Sequence, residues 1–278
     1  MATVIVPAHN EASVIIDCLN SITNQTGVDH IIVPCNGCTD NTVELVKQNF
    51  PTVVCLDIEK PSKTNALNIA EAHAKKLGLS YPIFYIDADT KLSENAVEHI
   101  SNAMQGSHIH LSAPTPIIDT SESSWLVKTY YKVWLNLPYI KEGVIATCSF
   151  IVSKEGRERF DQFADVIGDD GYIRGHFKNS EIANIKGAEV FITAPKDIGS
   201  LIKIKTRARL GNMELLAKKL CPVIETKDYG NIMKSKLLSK AFIPTSIYIV
   251  IALIIRIRAS LQFKQLESYQ WEKDTSSR

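Results

Sequence analysis

The sequence predicts an α/β fold: a Rossmann-like, mostly parallel sheet with helices on both faces, followed by a basic helical C-terminal tail. Three observations predict it. Short β-branched runs alternate with helical patterns through the first 115 residues. The runs are continuously apolar, as strands buried on both faces are. The intervening segments carry their apolar residues at the 3.6-residue period of a helix. Strict alternation of this kind implies βαβ units, right-handed crossovers and a parallel sheet.

The elements follow in order. Strands are expected at Thr3 to Pro7, His30 to Cys35, Thr52 to Ile58, Pro82 to Asp87 and His108 to Pro114. Helices are expected at Glu11 to Gln25, where Val14, Ile15, Cys18, Leu19 and Ile22 share a face, and at Asn41 to Phe50, where Val43, Val46 and Phe50 do. Two more are expected at Lys63 to Leu77 and Ser93 to Met104. After Pro116 the alternation breaks into an amphipathic stretch, Trp125 to Tyr139, a strand at Ile145 to Val152, a helix start carrying Asp169 and Asp170, and a strand at Ala188 to Thr193. From Lys196 the pattern is helical, and Phe242 to Ile255 is an uncharged apolar run of 14 residues followed by Arg256 and Arg258. That is short for a membrane span, which takes about 20 residues, and the flanking arginines suit an interfacial helix on an anionic surface.

Composition sets limits on partners. With 278 residues, 45% of them hydrophobic, the chain is long enough for one large core and a tail. The net charge of +1 hides an asymmetry: residues 1–195 hold 15 Lys/Arg against 23 Asp/Glu, and 196–278 hold 16 against 7. The basic block suits an anionic leaflet, phosphorylated ligands or a solvated helix face. It lacks the aromatic or Gly-rich accompaniment of a nucleic-acid surface, so no nucleic acid is expected. The six cysteines form no regular framework and the chain opens on a strand, so reduced thiols and a cytoplasmic location are expected. Cys35 and Cys38 form a CxxC without a second pair, and Asn36-Gly37 between them reads as a turn.

In an open parallel sheet, ligands collect at the carboxyl ends of the strands. Here those ends read Pro7-Ala8-His9-Asn10-Glu11, Asn36-Gly37-Cys38-Thr39-Asp40, a position near Asp57, and Asp87-Ala88-Asp89. Asp87 and Asp89, two apart in an extended segment, project to one side; paired carboxylates repel unless a cation joins them, and Mg²⁺ or Mn²⁺ prefers such oxygen ligands. The alternative is a solvated turn whose acid caps the next helix.

Taken jointly these residues resemble the family 2 glycosyltransferases of the GT-A fold. Pro7-Ala8-His9-Asn10-Glu11 is similar to that family's PxxNE opening, Asn36 to Thr42 to its DGSxDxT turn, Ser62 to Asn68 to its GKxxALN segment and Asp87-Ala88-Asp89 to its DxD. Asp169-Asp170 resembles its ED motif and Thr206 to Leu210 a decayed QRxRW. The resemblance implies that residues 1–115 bind a nucleotide-sugar donor, that 116–210 bind the acceptor and supply the base, and that 211–278 form a basic, membrane-associating tail. It implies donor contacts from Pro7, Ala8, Asn10, Glu11, Asn36, Lys63, Asp87, Arg207 and Arg209, a metal (Mn²⁺ or Mg²⁺) at Asp87 and Asp89, and Asp170 as the general base of an inverting transfer. The acceptor would be a glycan or lipid-linked hydroxyl, the donor by default a UDP-sugar, and the site the cytoplasmic membrane face, with contact through 242–258; the closing Trp271 to Arg278 resembles tails of exopolysaccharide members. His176 is a second-rank candidate as a late metal ligand. Departures are Asn36 for the usual Asp and Ser62 for the usual Gly. The competing readings are a sugar nucleotidyltransferase, which needs a Gly-rich loop after the first strand where Pro7 to Asn10 has no glycine, and a non-catalytic nucleotide-sugar-binding member.

Overall fold

A computed structural model describes residues 1–137, 140, 148–222, 242–266, 269 and 276. The strands are β1 (Ala2–Ile5), β2 (Val28–Asn36), β3 (Val54–Ile58), β4 (Ile83–Ile86), β5 (Thr90–Leu92), β6 (Leu111–Asp119), β7 (Ser149–Val152) and β8 (Ile182–Thr193). The helices are α1 (Ile15–Thr23), α2 (Thr42–Asn49), α3 (Lys63–Leu77), α4 (Ala96–Met104), α5 (Trp125–Trp134), α6 (Lys154–Arg157), α7 (Asp169–Arg174), α8 (Ile198–Ala217) and α9 (Phe242–Phe263).

All eight of these strands join one sheet in the order β3-β2-β1-β4-β7-β6-β8-β5. The pairs β2/β3, β1/β2 and β1/β4 are parallel, as the alternation implies. Beyond β4 the sheet becomes mixed: β7 pairs antiparallel with both β4 and β6, β8 runs parallel to β6, and β5 pairs antiparallel with β8. Side-chain alternation along β1 sends Val4 and Val6 to one face and Ile5 to the other. The first face packs against Ile15, Leu19 and Ile22 of α1, Val46 of α2 and Ile100 of α4; the second packs against Leu67, Ala70 and Ala74 of α3 and Ile173 of α7.

Several boundaries move for local reasons. α1 begins at Ile15 because Glu11 first closes a turn, its carbonyl accepting from the amides of Val14 and Ile15. β5 precedes α4, which starts only after Asn95 has taken a left-handed φ of 58°. α3 matches its expected span: Ser62 accepts from the Asn65 amide at its start, and Gly78, φ 90°, ends it in the left-handed conformation that glycine adopts freely. Residues 138–139 and 145–147 of the expected elements, and the closing stretch apart from Ser276, lie outside the described residues.

α9 runs for 22 residues, beyond the 14-residue apolar run, and is apolar enough, and at about 33 Å long enough, to cross a membrane. Ile251, Ile255 and Tyr248 on one of its faces pack against Tyr130 and Trp134 of α5 and Leu201 of α8.

Candidate active site

The site lies where β4 ends. Asp87 closes the strand, its amide donating to the Cys148 carbonyl at 2.8 Å, and the chain then turns, with the Thr90 amide and hydroxyl donating back to the Asp87 carbonyl. The two carboxylates therefore converge through a turn and not through strand alternation. One oxygen each of Asp87 and Asp89 and the Cys148 sulfur lie within 4.8 Å of one another.

Lys63, the first residue of α3, reaches into this cluster. Its Nζ donates to Asp87 Oδ1 at 2.7 Å and pairs with Asp169 Oδ2 at 3.0 Å. Burial disfavours the ammonium, but the charges of Asp169 and Asp87 outweigh it and raise its pKa, so Lys63 stays protonated. Lys63 is thus the internal countercation of a carboxylate group.

Asp169 and Asp170 open α7, whose N-cap is Gly168. Asp169 is 5% exposed and neutralised by Lys63. Asp170 is pushed up to about 6 by burial first and by the adjacent Asp169 second, against the opposing pull of Lys63 and of the Gly171 amide that donates to it at 2.6 Å. The segment leading to it is fastened from three sides. Asn68 exchanges hydrogen bonds with the backbone of Phe163 at 2.9 and 3.0 Å, Glu214 of α8 accepts from the Ile167 amide at 2.7 Å, and Arg157 donates to the carbonyls of Phe160 and Asp161. Arg157 is itself held by buried Glu71, which also accepts from the Tyr85 hydroxyl at 2.5 Å.

The turn at the neighbouring strand ends is equally built. Asn36 is 4% exposed, and its amide nitrogen donates to the carbonyls of Ala8 at 2.8 Å and Pro34 at 3.4 Å. Both N–H groups are spent on backbone, so its oxygen is the part left for a ligand. Asn10, φ 55°, uses its side-chain oxygen to accept from the Thr39 and Asp40 amides. Asp40 accepts from the Ala12 amide and the Thr42 hydroxyl, which hold its carboxyl below the ordinary range against the cost of burial. Glu11 is buried, its amide donating to Thr42 at 2.8 Å. Gly37 has φ +57°, and a Cβ there would meet Pro61 Cβ at 2.6 Å, so only glycine fits.

Of the expected site residues, Pro7, Lys63, Asp87 and Asp170 line one pocket together with Cys148 and Asp169; Asp89 joins them through Asp87. Ala8 and Asn36 meet at the neighbouring strand ends, where Ala8 bridges Cys35. Arg207 and Arg209 do not line the pocket; Arg209 is exposed on α8 within electrostatic reach of Arg256. Asp57 is exposed on the outer strand β3. His176 packs on Tyr172 and Phe160, its Nδ1 against the Tyr172 carbonyl at 2.8 Å. Sequence reasoning missed Cys148, which no motif marks. It also missed Lys205, whose ammonium lies 4.3 Å from the Trp134 ring centre and is lowered to about 8 by burial. The basic run around Arg207 was a signal for a cation here, without saying which of its members turns inward. The six cysteines are unbridged in the structure.

The sequence model of glycosyl transferase family 2 matches residues 3–154. The chain belongs to glycosyltransferase family 2. Over 102 residues it is 35% identical to a chondroitin synthase of Pasteurella multocida strain Pm70 and to a hyaluronan synthase of Pasteurella multocida, a match that covers 35% of this chain and 10% of each relative. Solved structures share its fold. A mannosyltransferase from Pyrobaculum calidifontis in complex with GDP-Man and Mn²⁺ aligns with TM-score 0.59 at 17% identity, over 97% of this chain and 76% of that one. Glucosyl-3-phosphoglycerate synthase from Mycobacterium tuberculosis, in complex with Mn²⁺, UDP and glucosyl-3-phosphoglycerate, aligns with TM-score 0.54 at 18% identity, over 81% of each chain. TarS 1-349 of S. aureus gives 0.53 at 16% identity over 87% of this chain and 71% of that one. The fold is GT-A, with the mixed second half of its sheet and the C-terminal helix.

Proposed function

We propose that this protein transfers a sugar from a nucleotide-sugar donor to an acceptor hydroxyl with inversion at the anomeric carbon. The observation that carries the reading is one pocket holding the Asp87 carboxylate of the DxD pair together with a second carboxyl, Asp170, pushed up to about 6. Asp87 and Asp89 suit a divalent ion such as Mn²⁺ or Mg²⁺: their donor atoms approach closely, and hard oxygens favour such cations. Bound there, the ion would supply charge to the diphosphate leaving group.

The chain's own residues do the rest. Asp170 takes the proton of the attacking hydroxyl, a task for a carboxylate whose pKa is raised toward the working pH. Asp169 and Lys63 form a neutralised pair beside it, so one acid of the two is spent on structure and the other is left for chemistry. Asn36, with an acceptor oxygen remaining, suits a base that presents a ring N–H, as uracil N3 and guanine N1 do; cytosine N3 has no hydrogen to give. Pro7, Ala8 and Glu11 frame the nucleoside, Asn10 shapes the turn against it, and Arg207 and Arg209 belong to a basic helix that favours diphosphate. Residues 1–115 act as the donor half, 116–210 as the acceptor half and 211–278 as a tail. The acceptor is a glycan or lipid-linked hydroxyl.

The reading includes contact with the cytoplasmic face of a membrane through α9. At about 100° per residue, Ile243, Val250, Ile254, Ile257 and Leu261 share a face centred about 130° round the helix from Ile251, Ile255 and Ala259. The former are exposed, the latter buried in the protein. Arg256 and Arg258 flank the exposed stripe, the pattern of a helix lying in an anionic interface.

Purified protein with Mn²⁺ is expected to transfer from at least one of a panel of UDP-, GDP- and dTDP-sugars, read by nucleotide release and product mass. Asp170→Asn is expected to lose transfer while still binding donor. Full activity in that variant removes Asp170 from the mechanism; donor binding and turnover unaffected by chelation remove the metal from Asp87 and Asp89.

A further inference from the structure

We propose that Cys148 supplies a sulfur ligand to the cation held by Asp87 and Asp89, giving this site a preference for borderline and soft ions over Mg²⁺. The inference rests on the carboxylate pair being a metal site and deepens that reading by naming a third donor and its consequence.

The three donor atoms come from two separate elements that the sheet brings together. Asp87 and Asp89 follow β4, and Cys148 immediately precedes β7, the strand inserted antiparallel beside β4 with Ile86 opposite Ser149. The hydrogen bond from the Asp87 amide to the Cys148 carbonyl extends that register by one step and fixes the cysteine against the aspartate. Atoms that share one ion through an oxygen bond of about 2.1 Å and a sulfur bond of about 2.3 Å lie at most about 4.4 Å apart. The observed atoms fall within 4.8 Å, so small side-chain rotations bring all three onto one centre.

The chemistry of the set is specific. Two carboxylates alone suit Mg²⁺ and Mn²⁺ alike, whereas an added thiolate shifts preference toward Co²⁺, Zn²⁺ and Cd²⁺. The Cys148 sulfur has no hydrogen-bond partner among the described residues, and it is half-buried beside the carboxylates and not packed into either sheet-face core. When an ion takes the sulfur, the thiol proton leaves to solvent and the sulfur keeps the bonding pair. Lys63 pairs with Asp87 Oδ1 and Asp169 Oδ2, so the cluster holds a fixed internal cation beside the exchangeable one.

The test uses the whole protein and Co²⁺ alone, with binding measured by calorimetry and sulfur ligation by the near-ultraviolet thiolate-to-cobalt absorption band. The wild type is expected to develop the band as Co²⁺ saturates, Cys148→Ser to lack it, and Cys18→Ser, which alters the other thiol near Asp87, to keep it. The ratio of Cd²⁺ to Mg²⁺ affinity is expected to fall at least about tenfold in Cys148→Ser. A measurement on unmutated protein runs beside these: Cd²⁺ should slow alkylation of Cys148 by iodoacetamide, followed by peptide mass, at least about tenfold. Co²⁺ binding without the band, or a band that survives in Cys148→Ser, overturns sulfur ligation and leaves the carboxylate site standing. Absence of Co²⁺ binding to the wild type overturns both.

Discussion

Replacing Asp170 with Asn separates a strained catalytic carboxylate from a structural one, because the two roles predict opposite changes in stability. Asp170 is raised from 3.8 to about 6 in the folded protein. At about 1.4 kcal/mol per unit, that shift corresponds to an upper bound of about 3 kcal/mol held against folding when the group is ionised. Asp170 is half-buried, so solvent screening reduces this to about 1–2 kcal/mol. Asn keeps an oxygen for the Gly171 amide and removes the charge beside Asp169.

The folded state binds the extra proton between about pH 4 and 6, so wild-type stability declines as pH rises through that window and levels off above it. Asp170→Asn lacks that decline. The variant is therefore expected to be about 1–2 kcal/mol more stable than wild type at pH 7.5 and nearly equal to it at pH 4, read by urea unfolding at matched ionic strength. Its transfer rate is expected to fall by about 10²- to 10⁴-fold, the worth of a positioned base. Wild-type turnover should drop about tenfold per unit below pH 6, as the carboxyl takes up its proton. A variant less stable than wild type at pH 7.5 would refute the argument and make Asp170 a structural acid of α7.

Three further predictions follow from the same contacts. Arg157→Met breaks a pair whose side chains are 8% and 3% exposed and frees the segment leading to Asp169; a loss of about 3–5 kcal/mol in chemical denaturation is expected, partly restored by Glu71→Leu in the same chain. Gly37→Ala meets Pro61 Cβ at 2.6 Å in a left-handed backbone, so donor affinity in titration calorimetry and melting temperature should both fall, the latter reflecting about 1–3 kcal/mol. Ile254→Glu with Ile257→Glu alters the exposed stripe of α9 and not its buried face; sedimentation with anionic vesicles should lose the bound fraction while soluble-acceptor transfer is retained.

Much of the first 115 residues was legible because the information there is local. The continuous apolar runs of β1 and β4 and the 3.6-residue spacing of Ile15, Leu19 and Ile22 report strands and helices directly, and in a parallel sheet strand order then places the polar ends together. Pro7, Asn36, Asp87 and Asp89 stand at such ends, whereas Lys63, the first residue of α3, was expected only from the family resemblance. Local pattern was less informative about roles. The Asn10 side-chain oxygen accepts from the Thr39 and Asp40 amides, and Lys63 pairs with Asp169 from a distant part of the chain, contacts that no local pattern announces.

What sequence alone determined, then, was the alternating α/β half and the row of polar strand ends with the paired aspartates among them, since each depends on neighbours a few residues apart. Tertiary structure decided the rest: the antiparallel insertion of β7 beside β4, which sets Cys148 against Asp87 and Asp89, and the fastening of residues 160–168 by Asn68, Arg157 and Glu214, which delivers Asp169 and Asp170 to Lys63. Pairing partners separated by 60 residues and more leave no period in the chain. Only the sheet register and buried ion pairs fix their distances, and those distances set the chemistry of the pocket.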